Sequence, residues 1–349
     1  MLENIIAKIE SLDENAMAAA KARQNTLTKP AGSLGRLEEL SIQLAGISGK
    51  EIPEINDKVI ITMAGDHGVV EEGVSAFSQE VTPQMVMNFL YGGAAINVLA
   101  KHVGARITIV DMGVVVEMEP HPALVVKKIA QGTANMTKGP AMTQERAEEA
   151  ILAGVNVVES EIKKGLDIVG TGDMGIGNTT PSAAIAAVLT GIAPAKLAGR
   201  GTGVDDEGLK RKIDAIERAL EVNKPDPKDG LDILAKVGGF EIAGLVGVIL
   251  GAAANRKAVM VDGFISTAAA MIAVSIAPEV RAYLISAHRS QEYGHSQMIE
   301  WLGLKPLVDL DFCLGEGTGA ALGISFAEAA CKILAEMATF ADAGVSDKE

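Results

Sequence analysis

The stretch LDIVGTGDMGIGNTTP, residues 166–181, contains an apolar run, a glycine-rich loop and a helix start in direct succession. The apolar run 166–169 predicts a buried strand. The ending Asn-Thr-Thr-Pro predicts a helix N-cap at Thr180, with Pro181 at the first helical position. Because glycine has no Cβ, the backbone N–H groups of such a loop can surround an anion, and the helix N-terminus favours the same ligand. This unit predicts an anion site within an α/β fold.

Apolar runs of the same kind recur along the chain, and each ends in a polar or glycine-rich turn. Helical patterns separate them, such as 145–164 closed by Gly165 and 182–190 closed by Gly191. This alternation predicts a mostly parallel sheet with helices on both faces, which binds ligands beyond the carboxyl ends of its strands. The other runs are 59–63 before AGDHG, 107–110 before DMG, 258–261 before DGF, 283–285 before SAHRS and 308–314 before GEGTG.

The predicted fold class is α/β, with a doubly wound, mostly parallel, Rossmann-like sheet. Residues 46–316 are expected to form this large domain, with the site at the strand carboxyl ends. An N-terminal helix and a helix predicted over 324–340 lie outside the alternation. Residues 1–45 and 317–349 are therefore expected to form a small helical domain.

Composition and charge narrow the class of protein. The 349 residues carry a net charge of −14, and basic residues are nowhere concentrated enough to bind a nucleic-acid backbone. The longest apolar run, 242–254, is shorter than the about 20 residues that cross a bilayer. The N-terminus has no signal-peptide pattern, and Cys313 and Cys331 form no disulfide framework. We expect a soluble, cytoplasmic protein with no membrane or nucleic-acid partner.

The segment GTGDMG at 170–175 matches the dinucleotide-binding pattern G-x-G-x-x-G. However, no acidic residue closes a second strand about 20 residues later, where a ribose would need one. The interpretation of the chain as a nicotinamide-dependent oxidoreductase therefore has only this match to support it. The chain also lacks a GxSxG elbow, a P-loop and the acidic diphosphate-sugar motif of many phosphoribosyltransferases. Chemistry that needs Mg²⁺ on a diphosphate is accordingly not indicated.

The histidines in AGDHG and SAHRSQEYGH raise the question of a metal site. Asp66 and Glu292 stand close to them in sequence, but no HxxxH or HxH pair is present. We therefore expect His67, His288 and His295 to hydrogen-bond loop backbones or to line a pocket. No metal and no cofactor is expected.

Two further glycine-rich loops are GRGTG at 199–203 and LGEGTGAALG at 314–323, which places Glu316 between two glycines. An acid in this position suits the start of the following helix, where it acts as a cap. The apolar sequence on both sides instead predicts partial burial, which raises the carboxyl pKa and makes Glu316 a better base. From the residues alone, a helix cap and a catalytic base are equally good interpretations.

Taken together, the motifs resemble those of the nicotinate-nucleotide–dimethylbenzimidazole phosphoribosyltransferase family, which prepares the lower-ligand nucleotide of cobalamin. The resemblance covers nearly the whole chain. It implies that the glutamate of LGEGTGAA, here Glu316, is the catalytic base, and that the enzyme is a homodimer with its site near the interface. The motifs are LTKPAGSLGRLE (27–38), AGDHGVVEEGVSAFSQEVT (64–82), GDMGIGNTT (172–180), GRGTG (199–203), GGFEIAGL (238–245), VDGFIS (261–266), SAHRSQEYGH (286–295) and LGEGTGAAL (314–322).

The resemblance also implies a reaction. Phosphoribose passes from nicotinate mononucleotide to 5,6-dimethylbenzimidazole or a related base, while Glu316 accepts the proton of the attacking ring. Asp173 stands where the family often has Glu, so its auxiliary catalytic role is open. Phosphate and ribose contacts are expected from Gly175, Gly177, Asn178, Thr179, Gly201, Gly203, Lys212, Gly263 and Ser290, and base-pocket contacts from Ser78, Gln84, Asn88 and Leu314.

The acceptor stays open within this family, because some relatives use other bases and a phenol-activating branch works as paired paralogues. The alternative function is a non-catalytic or paired-subunit paralogue that acts on another base or a phenol. The presence of Glu316 argues against an inactive paralogue.

Overall fold

A computed structural model describes residues 1–346 of the chain. In this part of the chain, six strands form one sheet in the spatial order β3-β2-β1-β4-β5-β6, and every pairing is parallel. This is the doubly wound order, with a topological switch point between β1 and β4. The predicted fold class is therefore confirmed. The strands are β1 (Lys58–Gly65), β2 (Arg106–Gly113), β3 (Leu124–Val126), β4 (Ile168–Met174), β5 (Ala258–Val261) and β6 (Leu284–Ser286).

Helices cover both faces of the sheet. They are α1 (Leu2–Ile6), α2 (Glu14–Thr26), α3 (Arg36–Ser48), α4 (Val81–Leu90), α5 (Ala95–Val103), α6 (Gln144–Lys163), α7 (Thr179–Thr190), α8 (Asp206–Asn223), α9 (Gly230–Val237), α10 (Phe240–Ala254), α11 (Phe264–Ile276), α12 (His295–Leu302), α13 (Thr318–Glu336) and α14 (Phe340–Ala343).

Strand β4 is longer than the apolar run that predicts it. It continues to Met174 because β1 pairs with it over its whole length, with Thr62 opposite Gly172 and Met63 opposite Asp173. Gly170 and Gly172, which the sequence places in a phosphate loop, therefore lie inside a strand. The loop itself begins only at Gly175.

Two other strand predictions need correction. The run 308–314 is not a strand, and in residues 1–346 it contributes a single parallel bridge between Val308 and His288. Pairing ends there because exposed residues follow and Asp311 adopts a left-handed φ of 55°. The sequence also fails to predict β3, since its three residues are too few to show a period.

Helix α7 starts two residues before the predicted position. The Asn178 carbonyl already accepts the first helical hydrogen bond, from the Ser182 N–H at 3.1 Å. The Asn178 side chain does not cap the helix, because it donates to Asp173 instead. Pro181 is thus the third helical residue, where its missing N–H still falls among the unpaired donors of the first turn.

The predicted helix 324–340 also has different ends. Helix α13 begins at Thr318 and stops at Glu336, because the chain is extended at Met337 and Thr339 forms an antiparallel bridge with Leu27. Phe340 belongs to the short helix α14.

Helix α13 connects the chain termini with the sheet. It packs against α2 and α3 on one side and against α5 and β4 on the other. Ala20, Ala45 and Leu334 form a small apolar cluster apart from the main core. The boundary between a large domain (46–316) and a small helical one (1–45 and 317–349) stays a prediction, and residues 347–349 of that range lie outside the described residues.

By length and composition α13 resembles a membrane span. However, 56% of its apolar window is buried inside the protein. More than half of the window thus packs against the rest of the protein.

The closest helix packing in the fold joins α6 and α10. A Cβ on Gly247 of α10 would overlap the carbonyl group of Ile151, and a Cβ on Gly154 of α6 would overlap that of Gly244. The two backbones are therefore in direct contact. Because α10 also packs on β1, β2, β4 and β5, this contact sets the position of one whole layer on the sheet.

We expect Gly247→Ala to lower the free energy of unfolding by about 1–3 kcal/mol through overpacking, although alanine is the better helix former. Thermal unfolding would measure this. Gly139→Ala is the matched control, since a Cβ at Gly139 meets no atom within 4 Å. Equal melting temperatures for the two variants would contradict the proposed backbone contact.

Candidate active site

A cavity of about 320 Å³ opens at the carboxyl edge of the sheet. Its size falls within the range of about 300–1,000 Å³ that is typical of small-molecule sites. Its walls come from the ends of β4 and β5, from the loop after β6, and from helix α4. The cavity thus lies beyond the strand ends, as the sequence predicts.

Most of the predicted site residues line this cavity, although they lie in separate parts of the sequence. Lys212, Gly177, Gly203, Ser78, Gln84 and Asn88 are not among its lining residues in the described part of the chain. The predicted residues that line it are Asp173, Gly175, Asn178, Thr179, Gly201, Gly263, Ser290, Leu314 and Glu316.

Glu316 lies in a turn of unusual backbone geometry. It has a φ of 64°, between Gly315 at 81° and Gly317 at 95°. A left-handed conformation costs a non-glycine residue roughly 1 kcal/mol or more, so neighbouring groups must hold it. The Thr62 hydroxyl donates to the Glu316 carbonyl at 3.0 Å, and the Ile96 N–H donates to the Glu316 carboxylate at 3.3 Å.

The structure assigns the cap of α13 to a residue other than Glu316. The N-terminus of α13 is capped by Asp262, whose carboxylate accepts from the N–H groups of Gly317 and Ala320. The Glu316 side chain lines the cavity and is only 5% exposed. Burial raises its pKa, which suits a base that works near neutral pH.

The glycines of β4 make room for this turn. A Cβ on Gly172 would overlap the Glu316 backbone, and a Cβ on Gly170 would overlap Ile60 and touch Ala320 at 3.0 Å. The GxGxxG match at 170–175 is thus explained by close packing within a strand. It is not a phosphate loop between a strand and a helix, as dinucleotide binding requires.

Asp173 is a second carboxyl group in the cavity wall. Its Oδ2 accepts from the Asn178 amide at 3.0 Å, and its buried Oδ1 has no partner among the described residues. Burial and the nearby negative charges of Asp262 and Glu241 raise its pKa well above the usual value. This environment favours a protonated Asp173, which is able to donate a hydrogen bond to a ligand.

The end of the cavity near Gly201 is suited to an anion. Lys212 of α8 lies behind its wall, where Nζ donates to the Thr179 hydroxyl at 3.0 Å and to the Gly199 carbonyl at 3.1 Å. Burial lowers the Lys212 pKa to about 8. Helix α7 begins at Thr179, so the positive end of its helix dipole lies at the same end of the cavity.

Gly177 and Gly203, both expected at the phosphate, have turn roles in the structure. They have φ values of 88° and 100°, which other residues rarely adopt. Val70 packs against the Cα of Gly177, and a side chain there would overlap it.

Three residues of the predicted base pocket do not line this cavity, and their role stays a prediction. Ser78 and Gln84 are exposed, and Asn88 lies over Gly93. Helix α4 instead turns Val81 and Met85, one helical turn apart, toward the cavity.

The apolar wall therefore consists of residues that the sequence reasoning missed. The spacing of Val81 and Met85 on an apolar helix was the available signal. The wall residues are Phe77, Val81, Met85, Ile176 and Ile265, together with the predicted Leu314.

The histidines have separate surroundings. His67 is paired with Glu241 at 2.7 Å, and His295 accepts from the Ser290 N–H at 2.8 Å. His288 lines the cavity and stacks on Phe312 with ring centroids 4.1 Å apart.

No group of three or more His, Cys, Asp or Glu side chains in residues 1–346 has the geometry of a metal site. Asp66 accepts from the Val115 N–H, and Glu292 lies close enough to Lys212 for the two charges to interact.

Comparison with known proteins places this geometry in a family. A family model described as "Phosphoribosyltransferase" matches residues 9–345. The chain is 57% identical over 348 residues to the nicotinate-nucleotide–dimethylbenzimidazole phosphoribosyltransferase of Chloroflexus aurantiacus, covering 100% of this chain and 99% of that relative. A protein of the same name from Roseiflexus sp. (strain RS-1) is 58% identical over 348 residues, with the same coverage. The chain belongs to the nicotinate-nucleotide–dimethylbenzimidazole phosphoribosyltransferase family.

Solved structures of the family agree with the fold. A crystal structure of this phosphoribosyltransferase from Thermus thermophilus superposes with a TM-score of 0.92 at 45% identity, covering 97% of this chain and 100% of that one. The resemblance of the sequence motifs to this phosphoribosyltransferase family is thus confirmed over the whole chain.

Proposed function

We propose that the chain transfers phosphoribose from nicotinate mononucleotide to 5,6-dimethylbenzimidazole or a closely related base. The observation that carries this proposal is one cavity with an end suited to an anion, a buried carboxylate and an apolar wall. These three parts correspond to a phosphate, a proton to be removed and an aromatic ring. The names of the relatives, which match the chain from end to end, support the same substrates.

The donor is expected to place its phosphate at the α7 N-terminus and the Gly201 loop, near Lys212. Backbone N–H groups and a single ammonium group suffice for one phosphate. The nicotinate ring of the donor is a pyridinium, so it departs as a neutral ring nitrogen and needs no general acid. This arrangement uses no cofactor.

The acceptor is expected to stack along the apolar wall formed by Phe77, Val81 and Met85. One ring nitrogen attacks the ribose C1′, and the bond from C1′ to nicotinate breaks. Glu316 accepts the proton from the second ring nitrogen, so that the product ring is neutral. Attack from the face opposite the leaving group inverts the anomeric carbon from β to α. A protonated Asp173 is suited to orient a ligand by donating a hydrogen bond.

We further propose that the enzyme is a cytoplasmic homodimer whose interface lies near the cavity mouth. Exposed apolar side chains around the mouth support this placement, with Phe77 51%, Leu314 57% and Tyr293 62% exposed. Isolated apolar residues are normal on a surface, whereas a group at one site favours a covered surface.

Incubation of the protein with nicotinate mononucleotide and a panel of benzimidazoles, purines and phenols tests the reaction. We expect the α-ribazole 5′-phosphate product with 5,6-dimethylbenzimidazole, identified by mass and by the anomeric proton coupling. Exclusive use of a phenol would support the alternative of a paired-subunit paralogue. No product with any acceptor would contradict the proposed transfer.

Glu316→Gln keeps the size and polarity of the side chain but removes its basicity. We expect kcat to fall by about 10²-fold or more, the usual scale of general-base catalysis, with little change in donor affinity. Because burial raises the Glu316 pKa, kcat of the unmodified enzyme should fall as the pH is lowered through that raised value. Near-normal turnover of the variant would exclude Glu316 as the base.

Lys212→Ala should weaken the binding of nicotinate mononucleotide by about 1–3 kcal/mol, the scale of a charge-assisted hydrogen bond. Since the Lys212 pKa is lowered to about 8, donor affinity should decline above that pH in the unmodified protein but not in the variant. Titration calorimetry would measure both. Lys210→Ala is the matched control, because Lys210 lies exposed on the same helix. Equal affinities for the two variants would place the phosphate elsewhere.

A further inference from the structure

We propose that Asp262 is a positioning residue for Glu316, and that its carboxylate holds the turn from which Glu316 faces the cavity. Asp262 follows the last residue of β5 and is fully buried. It does not line the cavity among the described residues, so it acts through Glu316 and not on a substrate. The inference rests on the proposed function, because it gives Asp262 a role only if Glu316 is the base.

Asp262 binds the backbone immediately after Glu316. Its Oδ2 accepts from the Gly317 N–H at 3.1 Å, and its Oδ1 accepts from the Ala320 N–H at 2.9 Å. Both N–H groups belong to the first turn of α13 or its cap, where donors have no partner within the helix. One carboxylate therefore fixes the base-carrying turn and the start of the helix together.

The turn at 315–317 needs contacts with other parts of the protein to stabilise its conformation. Three successive residues, 315–317, have positive φ, and the middle one carries a side chain. A free chain of this sequence would leave that conformation, since it is unfavourable for glutamate. The contacts from Asp262 and from the Thr62 hydroxyl are made to the backbone, so they leave the Glu316 carboxylate available to a ligand.

Asp262 is itself held from the neighbouring strand. Its N–H donates to the Thr171 hydroxyl of β4 at 3.2 Å. That hydroxyl in turn donates to the Met260 carbonyl at 3.4 Å. A Cβ on Gly319 would come within 2.8 Å of the Asp262 carboxylate. The carboxylate therefore sits between β4, β5 and α13 with little freedom to move.

Both carboxylate oxygens of Asp262 are needed to accept these two hydrogen bonds. Asparagine has the same shape, but an NH₂ group replaces one oxygen and cannot accept a hydrogen bond. Asp262→Asn would therefore leave one of the two N–H groups facing a donor, and the turn would shift. A displacement of about 1 Å at a reacting group can cost about 10²-fold in rate. We expect a loss of kcat on the order of 10²-fold with the KM for nicotinate mononucleotide unchanged.

Asp111→Asn is the matched control. Asp111 is also buried near the end of a strand, and its Oδ1 accepts from the N–H groups of Gly113 and Val114. Because one oxygen accepts both bonds, Asp111→Asn can keep them while it removes a buried carboxylate two strands away from β4. We expect it to leave kcat unchanged, so a general effect of losing a buried carboxylate would appear in both variants.

A double variant distinguishes positioning from a merely structural role. If Asp262 acts only by placing Glu316, adding Asp262→Asn to Glu316→Gln should lower kcat no further, because the base is already lost. Multiplied losses in the double variant, or an unchanged kcat in Asp262→Asn alone, would overturn the inference. Should Asp262→Asn fail to fold, Asp262→Ser, which accepts one N–H without adding an NH₂ group, is judged by the same criterion.

The same measurements separate this inference from the proposed function. An unimpaired Glu316→Gln variant overturns the assignment of the base, whatever the Asp262 variants show. An impaired Glu316→Gln variant with an unimpaired Asp262→Asn variant overturns the positioning role alone.

Discussion

The site depends on a direct backbone contact between the turn at 315–317 and strand β4. Gly172 allows this contact, because any side chain there would occupy the space of the Glu316 backbone. The contact brings the start of α13 onto the sheet at its switch point, where β1 and β4 separate the two halves of the fold. Glu316 therefore has a rigid support, although it lies in a loop, and its carboxylate has a fixed place in the cavity wall.

Burial of several acids at this edge shapes both stability and chemistry. Burial raises the Asp262 pKa to about 7, in spite of the N–H groups that favour its ionised form. Since the folded-state pKa lies above the usual value, the folded protein holds this proton more tightly than the unfolded chain. The stability that results is present at low pH and is lost as the pH rises through about 7. Burial of Asp262 thus weakens the fold near neutral pH.

The sequence predicts the parts of the molecule that depend on local pattern. The apolar runs predict every strand except β3. The glycine-flanked Glu316 lies in the cavity wall, and its role as a base stays a prediction. What it does not predict depends on contacts between distant residues. Asp262 and Gly317 are far apart in the sequence and come into contact only when the chain folds. The sequence therefore gives no sign that Asp262, and not Glu316, caps helix α13. Predicting that Val81 and Met85 form the apolar wall requires knowing which side of α4 faces the cavity.

Asp173 shows how the length of one side chain shapes the site. Its carboxyl oxygens lie 3.2 and 3.3 Å from the position of a Cβ on Gly315, so its short side chain stays close to the turn that carries Glu316. A glutamate at this position is one methylene longer and reaches further from the strand into the cavity. With aspartate, the second carboxyl group remains at the wall, held by the Asn178 amide. The negative charge of an ionised Asp173 would oppose ionisation of Glu316, and burial together with the charges of Asp262 and Glu241 disfavours that charge by raising the Asp173 pKa. The short side chain and its buried environment therefore together separate the roles of two neighbouring acids.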